Sequence, residues 1–189
     1  MDALPSTEPH DQICDAAIAV LATHGVSGLT ASAVDDQLGW SRGTTAQHYV
    51  SQRELLEAVA HRLVFLDALT LSGFRASAAG VAAAIERTFQ PENHKRLLAR
   101  LELYLYAART PEFATMHWAR DLFAAGAEAH MRLAGARTPR LAAIAVIAMV
   151  EGLLLHDFIA PRMTHRDRFS LLRRMLHGFM SDVKGPERL

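Results

Sequence analysis

Between Leu29 and Leu56 the chain reads LTASAVDDQLGWSRGTTAQHYVSQRELL, and the punctuation of that stretch restricts it to short helices meeting at tight turns. Thr30 offers a hydroxyl to the free N–H groups of a helix starting at Ala31, and Val34 and Leu38 then share one face. Gly39 stops that helix, because glycine takes a left-handed terminal conformation at little cost. Trp40 follows as an apolar plug in the turn, and Ser41 can cap a next helix whose leading turn is Arg42, Gly43, Thr44 and Thr45. That helix, Arg42 to Tyr49, is too short to be stable alone, so its neighbours must hold it. Ser51 and Glu54 then form a Ser-x-x-Glu capping box, and Leu55, Leu56, Val59, Leu63 and Leu66 give the following helix its buried stripe. Upstream, Ile13, Ala17, Val20 and Leu21 recur at helical spacing as far as Gly25, where a left-handed helix end is expected.

Two short helices around a glycine-containing turn, with a longer helix directly after, have the shape of a helix-turn-helix, whose second helix can enter a DNA major groove. The chemistry of the second helix suits that use. Arg42 can make a bidentate contact with guanine or a phosphate, Gln47 can read adenine, and Thr44 and Thr45 can serve base edge or backbone. Gly43 lets the backbone approach a phosphate closely. Free N–H groups after Thr30, Ser41 and Ser51 would attract phosphate oxygens. Any one of these caps is ordinary in a small helical bundle; three around one short helix favour the DNA reading.

The stretch from Ile13 to Leu66 resembles the TetR family of bacterial transcriptional regulators. The likeness rests on Ala16-Ala17, Gly25, Leu29-Thr30, Val34, Leu38-Gly39, Ser41-Arg42-Gly43-Thr44, His48-Tyr49, Ser51 and Leu55-Leu56. Residues after about Asn93 look like the helical ligand-binding and dimerisation half of such regulators, through LARLELYLYAARTPEF (Leu98 to Phe113) and Gly152-Leu153-Leu154. Carried over by position, the resemblance implies that Thr30, Ser32, Arg42, Thr44, Thr45, Gln47, His48 and Gln52 face DNA. Many family members have Tyr where this chain has Ala46 and Lys where it has Gln52, so two contacts to the DNA backbone are weakened or missing.

Charge gives the same message. Residues 1–72 carry Arg42, Arg53 and Arg62 against nine Asp and Glu, whereas the remainder carries seventeen basic and eleven acidic residues. A DNA-binding face is expected to be basic. Here the acids Asp11, Asp15, Asp35 and Asp36 are expected largely outside the contact turns, and non-specific DNA affinity is expected to be modest with a shallow salt dependence.

The rest of the chain bounds the architecture. Its 189 residues are half apolar and rich in Ala and Leu, and no run alternates with period two, so an all-α fold is expected. Helices are expected at about 9–24, 31–38, 42–49, 52–72, 77–89, 92–109, 111–134, 139–160 and 166–181. Residues 1–10, with Pro5 and Pro9, read as a disordered lead; 11–72 as the DNA-binding domain with its linking helix; 73–189 as a ligand-binding and dimerisation domain, with the hinge at Gly73 to Gly80. Thr110-Pro111-Glu112 and Thr138-Pro139 look like helix starts. Cys14 is alone, which excludes an internal disulfide and fits a cytoplasmic protein. The first residues lack the pattern of a signal peptide, and the apolar run Leu141 to Val150 is too short to span a bilayer, so no membrane partner is expected.

In the C-terminal half, Leu141, Ile144, Ala145, Ala148, Met149, Gly152, Leu155 and Ile159 make one wide apolar face, and Phe169, Leu172, Leu176, Phe179 and Met180 make another. Small residues on the first would let a second helix approach closely, so a homodimer through the last two helices is expected, and a two-fold dimer would match a symmetric operator. Tyr104, Phe113, His117 and Trp118 are the aromatic and polar types that line small-molecule pockets, and equally those that fill helical cores. Glu151 and His156 interrupt an apolar helix and either meet a ligand's polar end or emerge at the dimer edge. None of the ten histidines forms an HxxxH pair, and no nucleophile elbow or phosphate loop occurs, so neither a metal, a cofactor nor an enzyme activity is expected. The sequence therefore reads as a DNA-binding regulator, expected to be a repressor released from its operator by a small, largely apolar molecule; the rival reading is a small-molecule-binding protein of the same fold with weak or lost DNA binding.

Overall fold

Helical spacing of apolar residues along nearly the whole chain leads, as expected, to an all-α molecule. The computed structural model describes residues 8–73, 77–159 and 163–181, the side chains of residues 114–117, 180 and 181 excepted. Among the described residues there are nine α-helices and no strand: α1 (Pro9–Gly28), α2 (Ala31–Leu38), α3 (Thr44–His48), α4 (Gln52–Thr70), α5 (Ala78–Thr88), α6 (His94–Arg109), α7 (Ala114–Leu133), α8 (Pro139–Ile159) and α9 (His165–Ser181). A single 3-10 turn, Pro91–Asn93, leads into α6.

Side-chain caps mark several of the helix starts. Thr30 accepts from the Ala33 N–H at 3.1 Å, and Ser77 from the Gly80 N–H at 3.1 Å. Ser51 accepts from the Glu54 N–H at 3.2 Å, while the Glu54 carboxylate reaches one residue further back than a standard box, to the Val50 N–H at 3.0 Å. Three boundaries differ from the sequence reading. Gly25 (φ 66°, ψ −175°) kinks α1 instead of ending it, and one more turn follows to Gly28. Helix α3 begins at Thr44, two residues later than expected, for a reason given below. Thr110-Pro111-Glu112 is a turn and not a helix start: the Phe113 N–H donates to the Thr110 carbonyl at 2.9 Å, which sends the Phe113 ring into the core before α7 begins.

The chain forms two compact units. The first comprises residues 1–66 and 91–119, so that α6 packs against α1 although the sequence reading assigned it to the other half. Ile13, Leu21, Leu29, Val34, Leu55, Leu56 and Leu103 are fully enclosed there, each burial stabilising by roughly 1.5–3 kcal/mol. Arg62 of α4 ties into α1, with Nε and Nη2 forked onto Asp15 at 2.9 and 2.8 Å and Nη1 on Asp11 at 2.7 Å. Two of the acids that make this half negative are thus matched inside the fold.

The second unit, residues 67–90 and 120–189, has its own core of Val81, Ile85, Met131, Ala142, Val146, Leu172 and Leu176. Its ionic centre is buried. Arg168 of α9 donates from Nε to both Glu86 oxygens at 3.0 and 3.1 Å and from Nη2 at 2.9 Å, reaches Asp157 of α8 at 3.4 Å, and lies over the Phe89 ring. On α8 the expected apolar face is largely bare, with Leu141, Ile144, Leu155 and Ile159 each at least half exposed. On α9 the expected stripe is corrected: Leu172 and Leu176 are buried in the core of the second unit, and Leu171 and Met175 are the outward apolar residues. Met180 lies outside the described side chains. As a whole, α8 is long and apolar enough by length and composition to cross a membrane, as buried core helices also are.

Candidate nucleic-acid interface

Helix α3 has five residues, too few to persist without help. Help comes from Asp35 on α2, whose carboxylate is wholly shut off from solvent. One oxygen accepts from the Gly43 N–H at 2.7 Å; the other accepts from the Thr45 N–H at 2.8 Å and the Thr45 hydroxyl at 2.6 Å. Burial alone would raise the Asp35 pKa, but the hydrogen bonds from Thr45, Gly43 and Thr44 outweigh it and hold the carboxyl below its ordinary value. Asp35 is therefore the cap of α3, delivered from another helix. The expected cap, Ser41, serves through its backbone carbonyl, which accepts from the Thr44 N–H at 3.2 Å and the Thr44 hydroxyl at 2.6 Å. Gly43 sits at φ 94° with nothing near the place a Cβ would occupy, so the turn needs glycine for its backbone angle and not for space.

This arrangement sorts the residues expected at DNA. Ser32, Arg42, Gly43, Gln47 and His48 are exposed, and Thr44 is partly so. Thr30 is exposed too, with its hydroxyl engaged as the α2 cap. Thr45 is a correction: it is fully buried and its hydroxyl is committed to Asp35, so it holds the turn and does not face outward. Gln52 is exposed, yet its amide nitrogen donates to the Val26 and Leu29 carbonyls at 2.9 and 2.7 Å, fastening the start of α4 to the α1–α2 connection. Sequence reasoning missed Asp35. Its signal was an acid near the C-terminus of a short helix, where the dipole disfavours it, followed by a helix with no acidic residue in its own first turn.

Around α3 the electrostatics are local. Arg42 pairs with Asp36, both 3.3 Å contacts lying on the exposed surface. The Tyr49 hydroxyl, at the end of α3, lies 3.2 Å from His10 Nδ1 and 3.6 Å from Cys14 Sγ, anchoring the helix to α1. Burial first, then the Cys14 contact, pushes the Tyr49 phenol pKa up, so it remains a protonated donor. Burial likewise raises the Cys14 thiol, which favours an unreactive packed cysteine. A shallow open depression lined by Pro9, Gly39, Trp40, Ser41, Thr44 and His48 runs beside the turn.

The expected ligand residues divide between the units. Tyr104 packs on the first core, Phe113 is buried there edge-on to Tyr106 at 5.2 Å, and Trp118 is half exposed, edge-on to His61 at 5.1 Å. Phe113 is thus a core residue. The His117 side chain lies outside the described residues. In the second unit Glu151 pairs with Arg120 at 3.0 Å, and His156 is exposed. Among the described residues no group of three or more potential metal ligands occurs.

Residues 72–182 match the family model of the tetracyclin repressor-like C-terminal domain. No curated protein matches the chain by sequence. The fold is similar to that of a transcriptional regulator from Rhodococcus sp. Rha1, at TM-score 0.80 and 18% identity over 92% of this chain and 97% of that one. It is also similar to the multidrug binding protein EbrR complexed with ethidium (TM-score 0.64, 22% identity, 90% and 99% covered). A third likeness is to a regulator from Saccharomonospora viridis in complex with choline (TM-score 0.71, 17% identity, 93% and 97% covered).

Proposed function

The chain belongs to the TetR family of transcriptional regulators, and from that premise we propose that it binds operator DNA as a homodimer and lets go when a small molecule binds. Helix α3 of each copy enters a major groove, with the two half-sites about 34–36 Å apart. Arg42 and Gln47 read base edges, Thr44 and His48 fix the register on the backbone, and the N–H groups at the start of α2 meet phosphate. One observation carries this reading. The buried Asp35 spends three hydrogen bonds on holding a five-residue helix whose outward side chains make no core.

The dimer forms through the bare face of α8 with Leu171 and Met175 of α9. The effector is a small, largely apolar molecule; that the effector is a small molecule is supported by the ethidium and choline, both organic cations, held by proteins of similar fold. It prefers the conformation whose α3 spacing misfits the operator, so ligand and DNA weaken each other's binding reciprocally. The protein is a repressor and not an enzyme in this reading. A gel shift with the DNA flanking its own gene tests it. Arg42→Ala and Thr44→Ala are expected to abolish the specific complex and leave dimer and helicity intact; unchanged affinity in both refutes the contact turn.

A second reading has one specific support: Ala46 is an exposed short side chain and the Gln52 amide is occupied, so two backbone contacts are weak. A small-molecule-binding protein without useful DNA affinity would enrich no palindrome in a genome-wide DNA selection, whereas the regulator would.

A further inference from the structure

Asp36 stands beside Asp35 near the C-terminal end of α2, where the helix dipole disfavours a carboxylate and no basic residue of the last turn offsets it. Asp35 has a structural reason to be there; Asp36 faces outward and stabilises nothing in the core. What it does is hold Arg42. The guanidinium presents Nε to Oδ1 and Nη2 to Oδ2, the planar fork that would otherwise take a phosphate or the O6/N7 edge of guanine. Both contacts are 3.3 Å, longer than the 2.8–2.9 Å of the Arg62–Asp15 fork in the same unit. The two side chains are 75% and 56% exposed, so the pair is weak enough to exchange.

We propose that Asp36 sets the DNA affinity of the recognition turn by competing with DNA for Arg42. This rests on the DNA-binding reading above. Free in solution, Arg42 already has an anion. A phosphate or guanine gains the guanidinium only by displacing that carboxylate, which is then left unpaired beside the negatively charged backbone. Arg42 thereby exchanges one anion for another, and its DNA contact releases less counterion than a free arginine would. Affinity and salt dependence are both held down by one residue that touches no DNA itself.

The experiment is fluorescence anisotropy with a labelled random-sequence duplex over a salt series. It uses the full-length chain as wild type, Asp36→Asn, Arg42→Ala and the double variant, with Asp36→Ser as a second replacement and circular dichroism to check helicity. Asp36→Asn and Asp36→Ser are expected to tighten binding about three- to fivefold at low salt, and to steepen the log–log salt slope by up to about 0.9. In the Arg42→Ala background, where the carboxylate has no guanidinium to hold, the same change is expected to tighten binding clearly less, because only general charge repulsion is relieved. Equal tightening with and without Arg42 would reduce Asp36 to a general charge effect and overturn the proposal, as would no tightening in either background. If no version binds DNA, including DNA from genomic selection, the DNA-binding reading itself falls and takes this inference with it; wild-type binding with an inert Asp36 defeats this inference alone.

Discussion

Gly43 N–H, Thr45 N–H and the Thr45 hydroxyl all end on Asp35, so the orientation of α3 depends on one carboxylate. Asp35→Ala leaves those three donors without an acceptor and is expected to destabilise the first unit by about 2–4 kcal/mol, read as a lower urea midpoint by circular dichroism. The pH dependence has a definite sign. The folded carboxyl lies below its ordinary 3.8, so its contribution is complete above that value and is lost as pH falls from it through the lower folded pKa. The gap between wild type and Asp35→Ala is therefore expected to narrow in that acid window; a gap that does not change with pH there would contradict the charged cap. Little of this was legible in the sequence beyond an acid placed where the helix dipole disfavours it. The Asp35–Thr45 contact spans ten residues and two helices, and a threonine hydroxyl near a helix start gives no sign of whether it points in or out.

Elements whose signals are local were legible. Thr30 and Ser51 reach N–H groups only three residues ahead, and the left-handed Gly39 closes α2 as its position suggested. Elements decided by distant partners were misplaced. The turn at Pro111 exists because Phe113 finds a core to enter, and α3 starts late because its cap comes from α2. The capping box at α4 yields a test at this scale. Ser51→Ala is expected to cost about 1 kcal/mol in chemical denaturation. Because Glu54 would still hold the Val50 N–H, Ser51→Ala with Glu54→Ala is expected to lose more than Ser51→Ala alone. Equal losses would mean that the Glu54 bond adds nothing once the Ser51 bond is gone.

For the molecule as a whole, the proposed dimer rests on the outward face of α8, where Leu141, Ile144, Leu155 and Ile159 line one side of the helix. Sequence spacing identified that face, while on α9 the same kind of pattern marked residues that are buried in the core of the second unit. Ile144→Arg places a charge on the bare surface with no change to the core, so sedimentation equilibrium is expected to give a monomer with wild-type helicity. A variant that remains dimeric would move the interface elsewhere.

Packing of α6 against α1 bears on how the protein can be taken apart. Residues 91–119 fall within the stretch matched to the C-terminal domain of the family, yet they wall in Ile13, Leu29 and Leu55. Severing the chain near residue 72 would strip that wall from the first unit and expose its packed apolar interior to water. The helices before residue 72 are accordingly no self-sufficient module; any graft that respects this architecture must carry α6 along with them.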